Sequence, residues 1–147
     1  VGADQFSPHK DKGELDVAIV AFPFYLADAT ASQAGAAMSA AGEATAADVS
    51  QIPMPWACDV VGLSVQVEDV RTGGTLTLRP TNSAVATAQA VTIDGTNTQY
   101  NYVNWSKGYH LDVGDRLGCT WATDSSWAAG TTPSVHVTVF VLIEEVF

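Results

Sequence analysis

The sequence predicts an all-β protein, an antiparallel sandwich or barrel of seven or eight short strands. Three observations point there. From residue 52 onward, short runs rich in Val, Thr, Tyr and Leu recur between turn signals such as "RTGG" (71–74) and "DGTN" (94–97). No stretch pairs helical spacing with a broad apolar stripe. With 47% hydrophobic residues in 147, the chain has enough apolar mass for the core of one domain.

Taken in order, residues 1–14 are polar, contain Pro8 and Gly13, and read as an N-terminal arm. Residues 15–147 read as a single domain. Its first strand, "LDVAIVAFPFYL" (15–26), is apolar on both faces, and Pro23, which cannot donate to a ladder, implies an edge or bulged position. Residues 27–51 hold eleven alanines, which favour helix by propensity. Met38 and Val49 are the only large apolar residues there, and Gly35 and Gly42 interrupt the run, so a long loop or arm is expected. "IPMPWACDVVGLSVQVED" gives a loop and a strand with Val61, Leu63, Val65 and Val67 on one face. "TLTLRP", "AQAVTID" and "TQYNYVNW" supply further strands, the last followed by a loop through Lys107 and Gly108. "HLDVGDRLGCTWATD" leads into a strand whose Leu117, Cys119 and Trp121 face one way. "SSWAAGTTP" is a loop, and "VHVTVFVLIEEVF" (135–147) is the last strand.

Sixteen acids against six bases give a net charge of −10. The bases (Lys10, Lys12, Arg71, Arg79, Lys107, Arg116) are scattered, which argues against a nucleic-acid surface, since neutralising phosphates requires clustered cations. No segment holds the roughly 18 to 20 apolar residues that span a bilayer, and "VGADQFSPHKDKGELD" lacks the apolar stretch of a secretory signal, so no membrane partner is expected. A first residue of Val is compatible with loss of an initiator Met and with a processed precursor. Cys58 and Cys119 read most plainly as buried free thiols, with a disulfide open if the fold brings them together.

No catalytic constellation stands out. His9, His110 and His136 have no metal-type spacing, so neither a metal nor another cofactor is expected. Asp94, Asp112, Asp115 and Asp124 lack a calcium-loop register and suit turns. Glu68-Asp69 and Glu144-Glu145 are adjacent on strands and point to opposite faces, so neither makes an acid/base couple. No G-x-S-x-G motif or phosphate loop appears. "NWS" (104–106) matches a glycosylation acceptor without a secretory signal to support it. Among the aromatics, core packing is the main expectation. Trp105 and Trp127, which fall in predicted loops, are the candidates for stacking on a ligand such as a glycan.

The two outermost strands pose a different problem. With Val135, Val137, Val139, Val141 and Ile143 inward, period two sends His136, Thr138, Phe140 and Leu142 outward. With Val17, Ile19 and Ala21 inward on the first strand, Val20, Phe22 and Phe24 point outward. Exposed apolar area of this extent usually marks an interface. Val20, Phe22, Phe24, His136, Phe140 and Leu142 are therefore the expected subunit-interface residues. The alternative is that residues 27–51 of the same chain cover them.

One motif narrows the fold. In "LDVGDRLGC" (111–119), Gly114 permits a tight turn and Asp115 is available to tie it down before a core strand. In that position, one strand before the C-terminal strand, it resembles the jelly-roll heads of the tumour necrosis factor and complement globular-head superfamily. That resemblance implies a jelly roll of about eight strands, assembled as a trimer whose last strand supports an apolar three-fold axis. The segments "IPMPWACDVVGLSVQV", "GGTLTLRPTNSAVATAQAVTIDGTNTQYN" and "GDRLGCTWATDSSW" are also similar in style to small structural proteins of tailed-phage virions. What this implies is a non-enzymatic homotrimer that decorates and stabilises a capsid, with the major capsid protein as partner. It would be made in the host cytoplasm and carried on the virion surface. The alternative is a trimeric receptor- or glycan-binding head of a fibre, for which the fourteen polar N-terminal residues offer no stalk.

Overall fold

A computed structural model describes residues 15–40 and 50–146. The expected arm at 1–14 and part of the alanine-rich segment lie outside the described residues. All regular structure among the described residues is β: β1 (Leu15–Leu26), β2 (Ala36–Ala37), β3 (Ser39–Ala40), β4 (Gln51–Pro53), β5 (Cys58–Val67), β6 (Arg71–Gly73), β7 (Leu76–Asn82), β8 (Val85–Ala86), β9 (Val91–Ile93), β10 (Tyr100–Leu111), β11 (Arg116–Thr123), β12 (Ala128–Ala129) and β13 (Val135–Val146). The all-β antiparallel sandwich read from the sequence is what forms.

Two sheets make the sandwich. One has the order β10-β5-β13-β1-β3. The other runs β2-β11-β7-β8, with β4 also on β11 and β9 also on β7. A small β12-β6 ribbon closes one end. Alternation places Leu63, Val65, Val67, Val135, Val137, Val139 and Val141 inside from the first sheet, and Leu76, Leu78, Leu117, Cys119 and Trp121 from the second. On β5 the alternation breaks where Gly62 pairs with Phe140 and Val60 with Val141, leaving Val61 as an extra, bulged residue. Val60, rather than the expected Val61, therefore fills the core.

The alanine-rich segment is not an isolated loop in its described part. β2 pairs with β11 in one sheet and β3 with β1 in the other, so residues 36–40 lace the sandwich along one side. At this crossing Met38, Ser39 and Ala40 are buried, Met38 filling core space between the small residues on either side. Ahead of β2, Thr123 Oγ1 donates to Thr30 O and the Thr123 N–H donates to Gln33 O, fixing the segment to the end of β11. Among the described residues, β1 is flanked on its outer side only by two-residue β3, opposite Phe24 and Tyr25. Pro23 thus sits on what is an edge strand for most of its length, as its missing N–H requires.

The first strand reverses its expected facing. Phe24 is 2% exposed, and Val20 and Phe22 pack against the core, whereas Val17 and Ile19 are 59% and 66% exposed. The cause is register. Val20, Phe22 and Phe24 stand opposite Val141, Val139 and Val137, the inward residues of β13, and cross-strand partners share a face. Val20, Phe22 and Phe24 are thereby corrected from outward interface candidates to inward core residues.

Candidate interaction surface

The outer face of the first sheet is built row by row from these registers. Ile19 stands beside Leu142, Ala21 beside Phe140, Pro23 beside Thr138 and Tyr25 beside His136. Phe140 lies beside Gly62, where an added Cβ would make ordinary contact with the Phe140 ring at 3.7 Å but crowd Val103 O at 3.1 Å, so the glycine is required by the β10 backbone rather than by the ring. His136 packs on Tyr25 with ring centroids 5.0 Å apart and planes tilted by 46°. At one end the β1–β13 part of the face is aliphatic: Val17, Ile19 and Ala21 are exposed and Phe140 and Leu142 half-buried, with Asp59 opposite Leu142 and His110 opposite Asp59 bordering it. Toward the other end it becomes aromatic and polar through Tyr25, His136, Gln66, Ser64, Tyr100 and Tyr102.

The outward set expected on β13, His136, Phe140 and Leu142, lies on this face. The residues that complete it, Val17, Ile19, Tyr100 and Tyr102, were not singled out from the sequence as surface. Nor were Trp56 and Val113, which are exposed at loops, and Val85, which is exposed on β8. The two tryptophans expected in loops are placed otherwise. Trp105 belongs to β10 and packs, half-buried, against the core. Trp127 is 5% exposed, and its indole N–H donates to Ala29 O at 2.9 Å. Its polar atom is thus used by the chain itself, so Trp127 is not a free stacking surface, and Trp105 exposes only part of its ring.

Gly114 adopts φ +89°, in the left-handed region that glycine favours. The Asp115 carboxylate accepts the Asp112 N–H at 2.9 Å and Asn82 Nδ2 at 3.1 Å. Met54 N–H donates to Asp115 O and Gly114 N–H to Met54 O, each at 2.8 Å, so this turn also holds the loop before β5.

The other acids serve similar ends. Asp94 accepts the N–H groups of Thr96 and Asn97 at 2.7 and 3.1 Å, Asn97 contributing most to holding its carboxyl below the usual range. Asp69 accepts those of Thr132 and Thr131 at 2.6 and 2.7 Å, with the same downward effect. His110 lies between two carboxylates, its Nδ1 2.8 Å from Asp59 and its Nε2 3.2 Å from Asp112. The hydrogen bond to Asp59, and after it the one to Asp112, raises the imidazole above its ordinary value. Among the described residues no group of three His, Cys, Asp or Glu side chains is placed to hold a metal ion. Cys58 and Cys119 are buried and unpaired; burial pushes the Cys119 thiol up to about 12 and raises that of Cys58.

No family model and no curated protein matches the chain. Among solved structures, a chain of the cyanophage Pam1 capsid asymmetric unit superposes with a TM-score of 0.53 at 15% identity, over 93% of this chain and 91% of that one. A chain of Desmodium yellow mottle tymovirus gives 0.40 at 14% identity, over 95% and 93%. At such identity the first likeness is one of fold. The chain therefore has an all-β architecture of a kind that occurs in a phage capsid, and the two matched chains are nearly equal in length.

Proposed function

We propose that this chain is a non-enzymatic virion structural protein that decorates and stabilises a phage capsid as a homotrimer, contacting the major capsid protein at the virion surface. The observation that carries the reading is the aliphatic end of the outer sheet face. Covering Val17 and Ile19, each about three-fifths exposed, returns about 2–4 kcal/mol per copy at ~1.5–3 kcal/mol for a fully buried side chain. Phe140 and Leu142 add the area they still expose. Across three copies this is about 6–12 kcal/mol, against ~4–15 kcal/mol for each of the two partners a trimer immobilises. The face offsets part of that cost, and contacts with the shell supply the rest. Every copy seated this way adds to the work needed to part neighbouring shell subunits. The fold likeness to a capsid chain supports the same reading.

Quantitative mass spectrometry of purified particles tests it. A copy number close to that of the shell subunit agrees with decoration. A copy number matched to a fibre, or absence from the particle, overturns it.

A further inference from the structure

We propose that the exposed face of β10 and the cleft beside it form a binding site for a neutral saccharide chain. Tyr100 and Tyr102 are 67% and 71% exposed. They stand two residues apart on one strand, so their rings share a face with a spacing of roughly 7 Å. Asn101 between them faces the other way. Its Nδ2 donates to Thr92 O at 2.8 Å and its Oδ1 accepts the Tyr102 N–H at 2.8 Å, which fixes the backbone under both rings. The cross-strand partners of the tyrosines, Gln66 and Ser64, are polar and uncharged.

Beside Tyr100, the residues Thr96, Asn97, Thr98 and Gln99 line a cleft of about 200 Å³. Its shape is set by the Asp94 carboxylate, which holds the Thr96 and Asn97 N–H groups, and by Gln99 Nε2, which donates to Glu68 O at 3.2 Å. A ring face flanked by hydroxyl and amide groups suits a sugar, whose C–H side stacks on the aromatic and whose hydroxyls both donate and accept. Charge selects further. The chain carries −10, the residues lining the cleft are all neutral, and the ionic groups at the adjoining turn, Asp94 and Arg71, attract and so offset one another. An anionic chain is repelled by the whole molecule, and a cationic one finds no carboxylate in the lining to pair with.

The site goes beyond the proposed capsid role and occupies the other end of the same outer sheet face. Tyr100 pairs with Gln66 and Gln66 with His136, six residues along β13 from Leu142, or roughly 20 Å, while Tyr102 lies in the row of Ser64 and Thr138, two residues from Phe140. Native gel electrophoresis through dextran, mannan or galactomannan, with alginate as the anionic comparison, tests it. At least one neutral polysaccharide retards the parent and alginate does not. Apparent affinity falls about tenfold or more in Tyr100→Ala and Tyr102→Ala and is largely kept in the Phe variants, which retain the ring. Unchanged melting temperatures show that the variants are folded. The proposal is overturned if no neutral polysaccharide retards the parent, if the folded Ala variants migrate like the parent, or if alginate retards it equally.

Discussion

Ile19→Asp separates the outer face from the core. Ile19 is 66% exposed beside Leu142, so the isolated subunit loses no core packing. The cost to the fold is about 1 kcal/mol or less, the span of strand propensities. In an assembly that covers this face the arithmetic differs. Each copy forgoes about 1–2 kcal/mol of burial. It also brings in a carboxylate whose desolvation costs about several kcal/mol without a cation beside it, and the register places acidic Glu144 opposite Val17, two residues away along the strand. A loss of about 3 kcal/mol or more per copy weakens association at least about a hundredfold. Phe24→Ala is the contrast: it opens a cavity between the sheets and costs about 3–5 kcal/mol of fold stability. Sedimentation velocity over a concentration series, with thermal unfolding of the same samples, reads both effects. The expected pattern is a dissociated but stable Ile19→Asp and a destabilised Phe24→Ala. An Ile19→Asp variant that sediments like the parent at every concentration, or melts as early as Phe24→Ala, refutes the reasoning.

Three more outcomes are expected. Trp127→Phe removes the indole N–H that Ala29 O accepts and trims a buried ring, lowering stability by at least about 1–3 kcal/mol in urea unfolding; no change in midpoint would show that neither the bond nor the packing contributes. His110 has its folded pKa raised by Asp59 and Asp112, so its contribution is full below the ordinary value of 6.5 and is lost as pH rises through the folded value. The stability gap between parent and His110→Gln should therefore shrink between about pH 5 and about pH 9, and a gap that stays level or widens contradicts this geometry. Cys58 and Cys119 should resist a thiol reagent in the native protein and both react on denaturation; prompt native labelling would show that they are not buried.

The fold was legible where polarity marks the phase of a strand. In β13, His136 and Thr138 alternate with valines, and the pattern orients Phe140 and Leu142 beyond the point where it turns wholly apolar. In β1 no polar residue stands between Val17 and Phe24, so period two has no anchor, and only pairing with β13 decides that the phenylalanines go in. In β10 the polar residue misleads. Asn101 points toward β9 because Thr92 O takes its amide, which turns Tyr100 and Tyr102 to solvent. Trp127 lies in a connection expected at the surface, and it is buried because the alanine-rich segment offers Ala29 O to its indole. The missing information in each case was a long-range partner, which local pattern does not encode.

The central claim is that the aliphatic end of the outer sheet face is covered by other chains on the particle. A cryo-electron microscopy map of the decorated capsid measures this directly. Val17, Ile19, Phe140 and Leu142 of each copy are expected in van der Waals contact with a neighbouring polypeptide. A map in which those four side chains face bulk solvent contradicts it.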